Sequence, residues 1–597
     1  MTERVEARGI GRGPWEIAAG LVLLAVLLVW FRPLTPHHFD ETLFTLSGAE
    51  WNPREHQPPA PGYPLLIGVA GLIAPLAPGP FEALVAMSIA GSLLGFIAFS
   101  RAFALLCGSA AGGVAGALLV YLAPVMLMHG SSGMSEGPAL AFVAAALLWA
   151  FRLAERREDH ALPDLLIFAA AAAAGIGFRP QFAIALIPLL AWGVAWVRPW
   201  KSRAIVLAAF AVVCLLWIAP LAASFGGIAP FLAWERGEAS SLAGGGVWRS
   251  GSLHAVVMDA ARFLAHPWGM KWLSIPLLAL AALGAARLAM RRERLLVPLA
   301  LFGVPYLLFA LLAMDPADGP RYGIPFSVVV AALAGAGASV LFPWLRGRAA
   351  LVAVLAWGGF AFAYVQPVLS ARRDHPSPPV SAASWARTNL PSGAVMLVDP
   401  PLMPHGRLLL GSFETAPIEE GLRRFATRPE TPLWMFVDGY SPRRDAAKFW
   451  WPRSDAWGKL TRGRYRVVSV VPVPPEERFI PLEGVEALEV AEDGSSWRWL
   501  LEEARLVVPP RGASRVEFRF LLPEEAPHEE VSLSLYVEED LRAGLPVRRG
   551  RVSTARLRMP EGGLLTVVAD KTWVPADHGG SDRRELGVKL VGMRQIP

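Results

Sequence analysis

Cysteine and charge are both scarce in this chain of 597 residues, which contains two cysteines and only 18% charged residues against 54% hydrophobic ones. Cys107 and Cys214 lie within or next to apolar runs, so they exclude a disulfide framework and are expected to be inert packing residues. The formal net charge is +6, but the arginines sit beside the apolar runs and form no single basic face. This distribution excludes a nucleic-acid-binding stripe and is typical of membrane topology signals.

Apolar runs of about 18 residues, the length needed to cross a bilayer, recur through the chain and predict a polytopic α-helical membrane protein. The first run, Trp15–Phe31, lacks a small-residue cleavage site and follows Arg4, Arg8 and Arg12. We therefore interpret it as a retained span with a cytoplasmic N-terminus, which places the next loop outside.

Proline-rich flanks surround the short apolar stretch Tyr63–Leu76, and the charges of the later loops indicate whether it crosses. If it does not cross, every arginine-rich loop downstream faces the cytoplasm, as the positive-inside rule requires. We therefore predict an interfacial or re-entrant helix there and about eleven spans in total. The spans after the first are predicted at 81–105, 110–128, 135–152, 163–178, 181–197, 204–223, 272–290, 295–313, 323–342 and 349–365.

Three domains follow from the change in composition near residue 366. Residues 1–365 form the membrane domain, with an active-site loop at 33–64. Helices and strands alternate in 366–473, which predicts a small α/β domain, and period-two strands in 474–597 predict a β-sandwich. Both are expected to be extracytoplasmic. In the sandwich, Trp497, Trp499, Trp573 and the run Ser581–Val588 fit either a buried core, which we favour, or a carbohydrate-binding face.

The predicted external loop after the first span concentrates ionisable side chains in an otherwise apolar chain. His37, His38, Asp40, Glu41 and His56 all lie within it. Such groups are costly near hydrocarbon, so their clustering indicates a function. Asp40 and Glu41 diverge as neighbours, and only one is expected to face a substrate as a general base, the alternative being a helix cap.

Five motifs in a fixed order carry a resemblance to a known superfamily. Asp40-Glu41 is followed by HQPPAPGYPLL, SEGPALAF, GFRPQFAIALIPLL and PRYGIPF. This order resembles the GT-C superfamily of polyprenyl-phosphate-sugar-dependent glycosyltransferases, in particular the branch of protein O-mannosyltransferases and the lipid A aminoarabinose transferase. The resemblance implies an inverting membrane glycosyltransferase of the bacterial inner membrane. Its donor would be a polyprenyl-phosphate sugar and its acceptor an extracytoplasmic glycan, lipid or protein.

The resemblance also implies residue roles. Asp40 would bind or deprotonate the acceptor, with Glu41 beside it and Glu136 as the second acidic residue, whose alternative is capping of the next span. Arg179 and Arg321 would pair with the donor phosphate, with interfacial anchoring as the alternative. Tyr322 would hydrogen-bond the same phosphate or belong to the aromatic belt.

The run Glu55-His56-Gln57 departs from the family pattern because Gln57 supplies no lysine charge, although His56 would still donate a hydrogen bond to the donor phosphate.

Two further interpretations stay open. We expect no cofactor, but His37, His38, Asp40 and His56 would suit a divalent metal, although their spacing fits no known ligand motif. The chain would alternatively be a transporter of lipid-linked saccharides or a non-catalytic glycan-binding envelope scaffold. Transport is disfavoured because the charges lie at span ends and no inverted repeat is evident.

Overall fold

Two compact units make up the structure, a computed structural model. The first, called the membrane unit below, comprises Met1–Pro376 and Pro452–Gly463, and the second, called the C-terminal unit, comprises Ser377–Trp451 and Arg464–Pro597. The residues that the structure describes are 14–155, 162–197, 200–243, 252–291, 293–314, 319–341, 348–441, 443–461, 463–491, 495–510, 515–559, 562–578 and 582–596. The predicted basic flank Arg4, Arg8 and Arg12 lies outside these residues, as does Ser581.

The membrane unit is helical, and each predicted span overlaps a single helix except 110–128, which is divided between two. Six of its described helices are long and apolar enough to cross a bilayer, and six further apolar helices are shorter. The prediction of a polytopic α-helical membrane protein is therefore confirmed. The helices are α1 (Pro14–Trp30), α2 (Phe39–Ser47), α3 (Pro64–Ile73), α4 (Pro80–Cys107), α5 (Ala110–Tyr121), α6 (Pro124–His129), α7 (Glu136–Glu155), α8 (Leu162–Phe178), α9 (Ala183–Ala195), α10 (Trp200–Ser224), α11 (Ile228–Ala243), α12 (Leu253–Ala265), α13 (Lys271–Met290), α14 (Leu296–Ala313), α15 (Gly319–Tyr322), α16 (Ile324–Leu341) and α17 (Arg348–Asp374).

Close helix packing in this unit depends on small residues. A Cβ atom on Gly284 of α13 would lie 1.9 Å from the carbonyl oxygen of Leu333 in α16, and one on Gly337 of α16 would lie 2.0 Å from that of Leu280 in α13. Both approaches are too close for any side chain. The two backbones therefore meet at glycines, the usual solution where apolar helices must pack without a hydrophobic driving force between them.

Helix α3 occupies the stretch whose crossing was in question. Its ten residues span about 15 Å at 1.5 Å per residue, roughly half the thickness of the hydrocarbon core. It is preceded by Tyr63, whose φ of 40° is unusual for a residue with a side chain. Leu66, Ile67 and Ala70 are buried against the protein. A helix this short fits the predicted interfacial or re-entrant segment.

The C-terminal unit contains an α/β layer followed by a β-sandwich, as predicted. The helices of this part of the chain are α18 (Pro378–Asn389), α19 (Met403–Leu409), α20 (Ile418–Phe425) and α21 (Asp455–Thr461), the last of which belongs to the membrane unit. The strands are β1 (Val395–Val398), β2 (Glu414–Pro417), β3 (Leu433–Asp438), β4 (Ala447–Trp450), β5 (Val467–Val473), β6 (Ile480–Pro481), β7 (Val485–Val490), β8 (Ser496–Leu500), β9 (Glu503–Val508), β10 (Arg515–Leu521), β11 (Glu530–Val537), β12 (Asp540–Arg548), β13 (Val552–Leu557), β14 (Gly563–Ala569) and β15 (Val588–Ile596).

These strands form three sheets. The first sheet has the order β2-β1-β3-β5-β4, with β1 parallel to β2 and β3 and the other pairs antiparallel. The sandwich sheets have the orders β13-β10-β15-β8-β7 and β12-β11-β14-β9-β6.

The domain boundaries differ from those expected. The predicted limit at 366 falls inside α17, which continues to Asp374. The predicted limit at 474 separates two layers that form one compact unit. Arg478 shows why, because its buried guanidinium donates to the carbonyl oxygens of Val473, Arg428 and Thr431 at 3.0, 2.7 and 2.9 Å.

Two of the three tryptophans singled out in the sandwich form part of its core. Trp499 and Trp573 are buried, with ring centroids 6.3 Å apart. Trp497 is half-buried, and the Lys589 ammonium lies 3.6 Å from its ring centroid. The buried pair is therefore not available to stack on a sugar.

Two carboxyls lie at the carboxyl ends of the parallel strands β1 and β3. Asp399 Oδ2 accepts a hydrogen bond from the Asp438 amide at 3.2 Å, and Asp438 Oδ1 accepts one from the Tyr465 amide at 3.0 Å. Burial raises the pKa of Asp399 to about 6 and that of Asp438 to about 7. The folded unit therefore retains protons that the unfolded chain releases above about pH 4.

We predict that this unit loses stability as the pH rises from about 4 to about 7, because raised carboxyl pKa values favour the folded state only while the carboxyls are protonated. Hydrogen exchange of β1, β3 and β5 in the full-length protein, corrected for intrinsic rates, should give a larger opening free energy at pH 5 than at pH 7.5. Asp438→Asn should flatten this dependence, and the exposed control Asp540→Asn should not. An unchanged slope in Asp438→Asn would contradict the prediction.

Candidate active site

The first loop is held by a capping box at the start of α2. The imidazole Nδ1 of His38 accepts a hydrogen bond from the Asp40 amide at 3.2 Å. The Glu41 carboxylate accepts one from the His37 amide at 2.9 Å and one from the His38 amide at 3.2 Å. These bonds satisfy amides that the first turn of a helix leaves unpaired. His38, and not Asp40, is therefore the N-cap of this helix.

Glu41 also joins the first loop to the turn before α7. Its Oε1 accepts a hydrogen bond from the Gly133 amide at 2.8 Å and lies 3.9 Å from the Arg372 guanidinium. The side chain is fully buried. Its carboxylate thus holds two loops together and does not face the cluster described next, so the geometry gives no support to the predicted catalytic role of Glu41.

Arg321 of α15 connects the two acidic residues that the sequence singled out. Its Nη1 forms an ion pair with Asp40 Oδ2, and its Nε donates to Glu136 Oε1 at 2.6 Å. Nη1 of Arg179 pairs with the same Glu136 oxygen. We call Asp40, Glu136, Arg179 and Arg321 the ion cluster. Four separate segments of the chain contribute to it.

Helix ends favour the signs of the charges in this cluster. Glu136 is the first residue of α7, where the helix dipole favours an anion. Arg179 directly follows the last residue of α8, where the dipole favours a cation. Both side chains are only 2% exposed, whereas the Asp40 side chain is 19% exposed. Asp40 is therefore the carboxylate of the cluster that a ligand reaches most easily.

The charges compensate one another, because two carboxylates face two guanidinium groups. Burial opposes ionisation of Asp40, but the charge and the hydrogen bond of Arg321 hold the pKa of this carboxyl below its usual value. Burial likewise disfavours the charged form of Arg321, yet Glu136 and Asp40 raise its pKa well above the usual value. Both pKa shifts favour the charged forms of these two side chains.

Unsatisfied polar atoms point to a ligand in this region. Within the described residues, Arg179 Nε and Glu136 Oε2 are buried without a hydrogen-bond partner. Buried polar groups are normally paired, so each exception calls for an explanation, and at this cluster a bound ligand is one that fits.

Two tyrosines that the sequence analysis missed also belong to this region. The Tyr63 hydroxyl accepts a hydrogen bond from Gln181 Nε2 at 3.3 Å, and the charges of Arg179 and Arg321 act on its phenol. The Tyr306 ring is fully buried, 5.6 Å from that of Phe326, and its hydroxyl has no partner within the described part of the chain. A single tyrosine within or beside an apolar run gives no pattern by which it could have been recognised.

The residues predicted to contact the donor phosphate divide into two groups. Arg179 and Arg321 lie in the ion cluster, and Tyr322 follows Arg321 in α15. His56 is half-exposed, with its Nε2 3.7 Å from Glu238. Gln57 donates from its side chain to the carbonyl oxygens of Leu46 and Glu50 at 3.3 and 2.8 Å, which stabilises the loop. The structure does not bring His56 or Gln57 to the cluster.

The residues proposed as an alternative metal site make contacts with different partners and do not converge on one point. His38 caps α2, Asp40 pairs with Arg321, and His56 lies near Glu238. In the part of the chain that the structure describes, no group of three or more His, Cys, Asp or Glu side chains is arranged to hold a metal ion.

Comparison with known proteins gives similarity at the level of structure. No family model and no curated protein matches the chain. ArnT from Cupriavidus metallidurans, solved with undecaprenyl phosphate, is 12% identical over 76% of this chain and 97% of its own, with a TM-score of 0.48. The Archaeoglobus fulgidus oligosaccharyltransferase is 10% identical over 93% and 94%, with a TM-score of 0.44. The mycobacterial arabinofuranosyltransferase AftD is 12% identical over 98% and 60%, with a TM-score of 0.43.

These three proteins are GT-C enzymes. At these identities and scores the similarity concerns the fold alone, so a function must be argued from the ion cluster itself.

We predict that removing Glu136 destabilises the protein because it leaves the Arg179 guanidinium buried without its carboxylate. Glu136→Leu should lower the free energy of unfolding by about 3–5 kcal/mol. The double variant Glu136→Leu/Arg179→Met should be less destabilised than Glu136→Leu alone, because both buried charges are then removed. Thermal unfolding of the detergent-solubilised protein, with the exposed Glu293→Leu as control, measures both effects. Strictly additive losses would contradict the prediction.

Proposed function

We propose that this protein is an integral-membrane inverting glycosyltransferase that moves a sugar from a polyprenyl-phosphate donor to a glycan, lipid or protein acceptor on the extracytoplasmic side. The observation that carries the proposal is the ion cluster, in which two carboxylates and two guanidinium groups from distant segments meet among membrane helices. Ionisable groups in such a position are costly unless they serve a function.

The arginines suit the donor. A sugar on a lipid phosphate carries an anionic phosphodiester, and guanidinium groups bind phosphate oxygens through two parallel hydrogen bonds. Arg321 uses Nη1 on Asp40 and Nε on Glu136. These contacts use two of the five N–H donors of the guanidinium, and in our proposal a phosphate that binds Arg321 on the side of Asp40 competes with that carboxylate. Of the two carboxylates, Asp40 is the more exposed. It is bound by one guanidinium group, whereas Glu136 is bound by two, so the contact with Asp40 is the easier one to replace.

Asp40 suits the acceptor. In the proposed reaction the acceptor's nucleophilic atom passes its proton to Asp40 and attacks the anomeric carbon of the sugar. The bond from that carbon to the phosphate oxygen breaks, and the polyprenyl phosphate leaves with the bonding electron pair. The guanidinium groups stabilise the charge that develops on the phosphate. A single displacement of this kind inverts the anomeric centre.

Release from Arg321 also improves Asp40 as a base. While paired, its pKa is held down, chiefly by Arg321 acting against burial. When the donor phosphate draws Arg321 away, this pKa should rise toward the range in which a carboxylate accepts protons effectively. Donor binding and base activation are thereby coupled.

We predict that substitutions of the two partners of this ion pair change different quantities. Replacing Asp40 lowers the transfer rate, and replacing Arg321 weakens binding of the lipid phosphate. Asp40→Asn should lower transfer by about 10²–10⁴-fold, the usual contribution of a general base, without weakening binding of undecaprenyl phosphate. Arg321→Gln should weaken that binding by about 10–100-fold, because charge-assisted hydrogen bonds contribute about 1.5–3 kcal/mol. Arg321→Lys should fall between, since it keeps the charge but not the two-pronged geometry.

The measurements are transfer of label from polyprenyl-phosphate sugars in membrane extract and binding of undecaprenyl phosphate to the purified protein. Glu55→Gln is the matched control, because Glu55 is an exposed carboxylate in the same loop. Normal transfer by Asp40→Asn would overturn the proposed role of Asp40. Movement of the labelled lipid across the bilayer without transfer would favour the transporter.

A further inference from the structure

The connection between β4 and β5 is much longer than its position requires. The two strands are antiparallel neighbours in one sheet, and such a pair needs only about two to five connecting residues. Here the chain runs from Trp450 to Val467 before pairing resumes. Residues 452–463 of this connection belong to the membrane unit and not to the sheet. Connections of this length are uncommon between neighbouring strands of one sheet.

Helix α21 lies within this connection and has a buried and an exposed face. The Ser454 hydroxyl accepts a hydrogen bond from the Trp457 amide at 3.1 Å near its start. Asp455 and Lys459 form an exposed ion pair one turn apart at 2.8 Å. Ala456, Trp457 and Leu460 are buried, and Trp457 is only 1% exposed. This seven-residue helix thus carries one of the largest fully buried side chains of the described residues.

The neighbours of α21 include α15, which carries one residue of the ion cluster. Helix α21 contacts α15, which bears Arg321, as well as α17 and the short turn His266–Trp268. The Trp457 ring meets the His37 ring edge to face, with centroids 5.0 Å apart and planes at 81°. The same helix therefore touches the segment that precedes Asp40 and the segment that carries its partner.

A short chain of contacts leads from Trp457 to Asp40. His37 packs on Trp457, and its backbone amide donates to Glu41 Oε2 at 2.9 Å. Glu41 stands next to Asp40 in the first turn of α2 and closes the capping box there. The position of His37 thus fixes the turn from which the Asp40 side chain extends toward Arg321.

We propose that α21 is a positioning element of the candidate active site, which braces the His37–Glu41 turn and α15 so that Asp40 and Arg321 stay in contact. Trp457 acts through His37 and through α15 and does not itself touch a substrate. The role in transfer rests on the proposed function, whereas the bracing of the turn is independent of it.

Hydrogen exchange in the full-length protein tests the bracing directly. Trp457→Leu keeps an apolar side chain but loses the edge-to-face contact, and it should speed exchange of the amides at 37–42 by about tenfold or more, with a smaller increase at 319–323. Trp457→Phe should retain most of the protection. Lys459→Ala on the exposed face is the matched control and should leave both regions unchanged. His37→Ala removes the same contact from the other side and should reproduce the effect in the turn if Trp457→Leu does not fold.

Transfer kinetics test the functional consequence. If Arg321 is held less closely to Asp40, the acidic limb of the pH–rate profile should move to higher pH in Trp457→Leu but not in Trp457→Phe or Lys459→Ala. The double variant Trp457→Leu/His37→Ala should slow transfer by less than the product of the two single effects, because both substitutions remove the same ring contact.

Unchanged exchange at 37–42 together with an unchanged pH profile in Trp457→Leu would overturn the inference while leaving the proposed function intact. Absence of transfer by the wild-type protein would instead count against the proposed function, and the exchange result would still decide whether α21 braces the turn.

Discussion

The ion pair that Arg321 makes with Asp40 and Glu136 constrains much of the membrane unit. A guanidinium removed from water is costly unless carboxylates and further hydrogen bonds compensate it. Glu136 satisfies both arginines through one oxygen, and Asp40 completes the partners of Arg321. The compensation exists only if the first loop, the start of α7, the end of α8 and α15 all reach one place. The helices that these segments terminate must then be arranged around that place.

The meeting of Asp40 and Glu136 at one guanidinium also constrains the number of membrane crossings between them. Asp40 and Glu136 are separated in sequence by α3, α4 and the α5–α6 segment, yet both contact one guanidinium. Segments that meet at one end of a bundle must be joined by an even number of crossings. If α4 and the α5–α6 segment each cross once, α3 does not cross. Given those two crossings, the geometry of the ion pair favours an α3 that does not cross, as the charge pattern of the loops does.

How much could be predicted from sequence depended on the kind of signal. Apolar runs and period-two strands are long-range patterns, so the membrane helices and both C-terminal layers were predictable. Asp40, Glu136, Arg179 and Arg321 could be grouped from the sequence, because the order of the motifs resembles a known superfamily and because charges beside apolar runs are conspicuous. The structure brings these four side chains together, and their roles stay predictions. Glu41 was harder to interpret, because its role depends on amides of His37 and Gly133 that a sequence does not place near it.

The other differences between prediction and structure also arise from contacts that the sequence does not reveal. His56 and Gln57 belong to the same loop as Asp40, but the loop turns back on itself so that Gln57 bonds to Leu46 and Glu50. Proximity in sequence was therefore a poor guide to proximity in space. Helix α21 is too short to show a helical period, and its partners are distant from it in the sequence. A segment that is buried by distant parts of the chain carries no local sign of its burial.

The unequal environments of the two carboxylates suggest how one cluster serves two purposes. Glu136 is bound by two guanidinium groups and is almost fully buried, so moving it would leave two cations uncompensated. Asp40 has one guanidinium partner and a side chain that is 19% exposed, so water or a ligand can replace that partner at lower cost. The cluster is therefore rigid on the side of Glu136 and exchangeable on the side of Asp40. In the proposed reaction, a phosphate entering the cluster displaces the Asp40 carboxylate from Arg321, and this carboxylate is then left beside the ligand with its basicity restored.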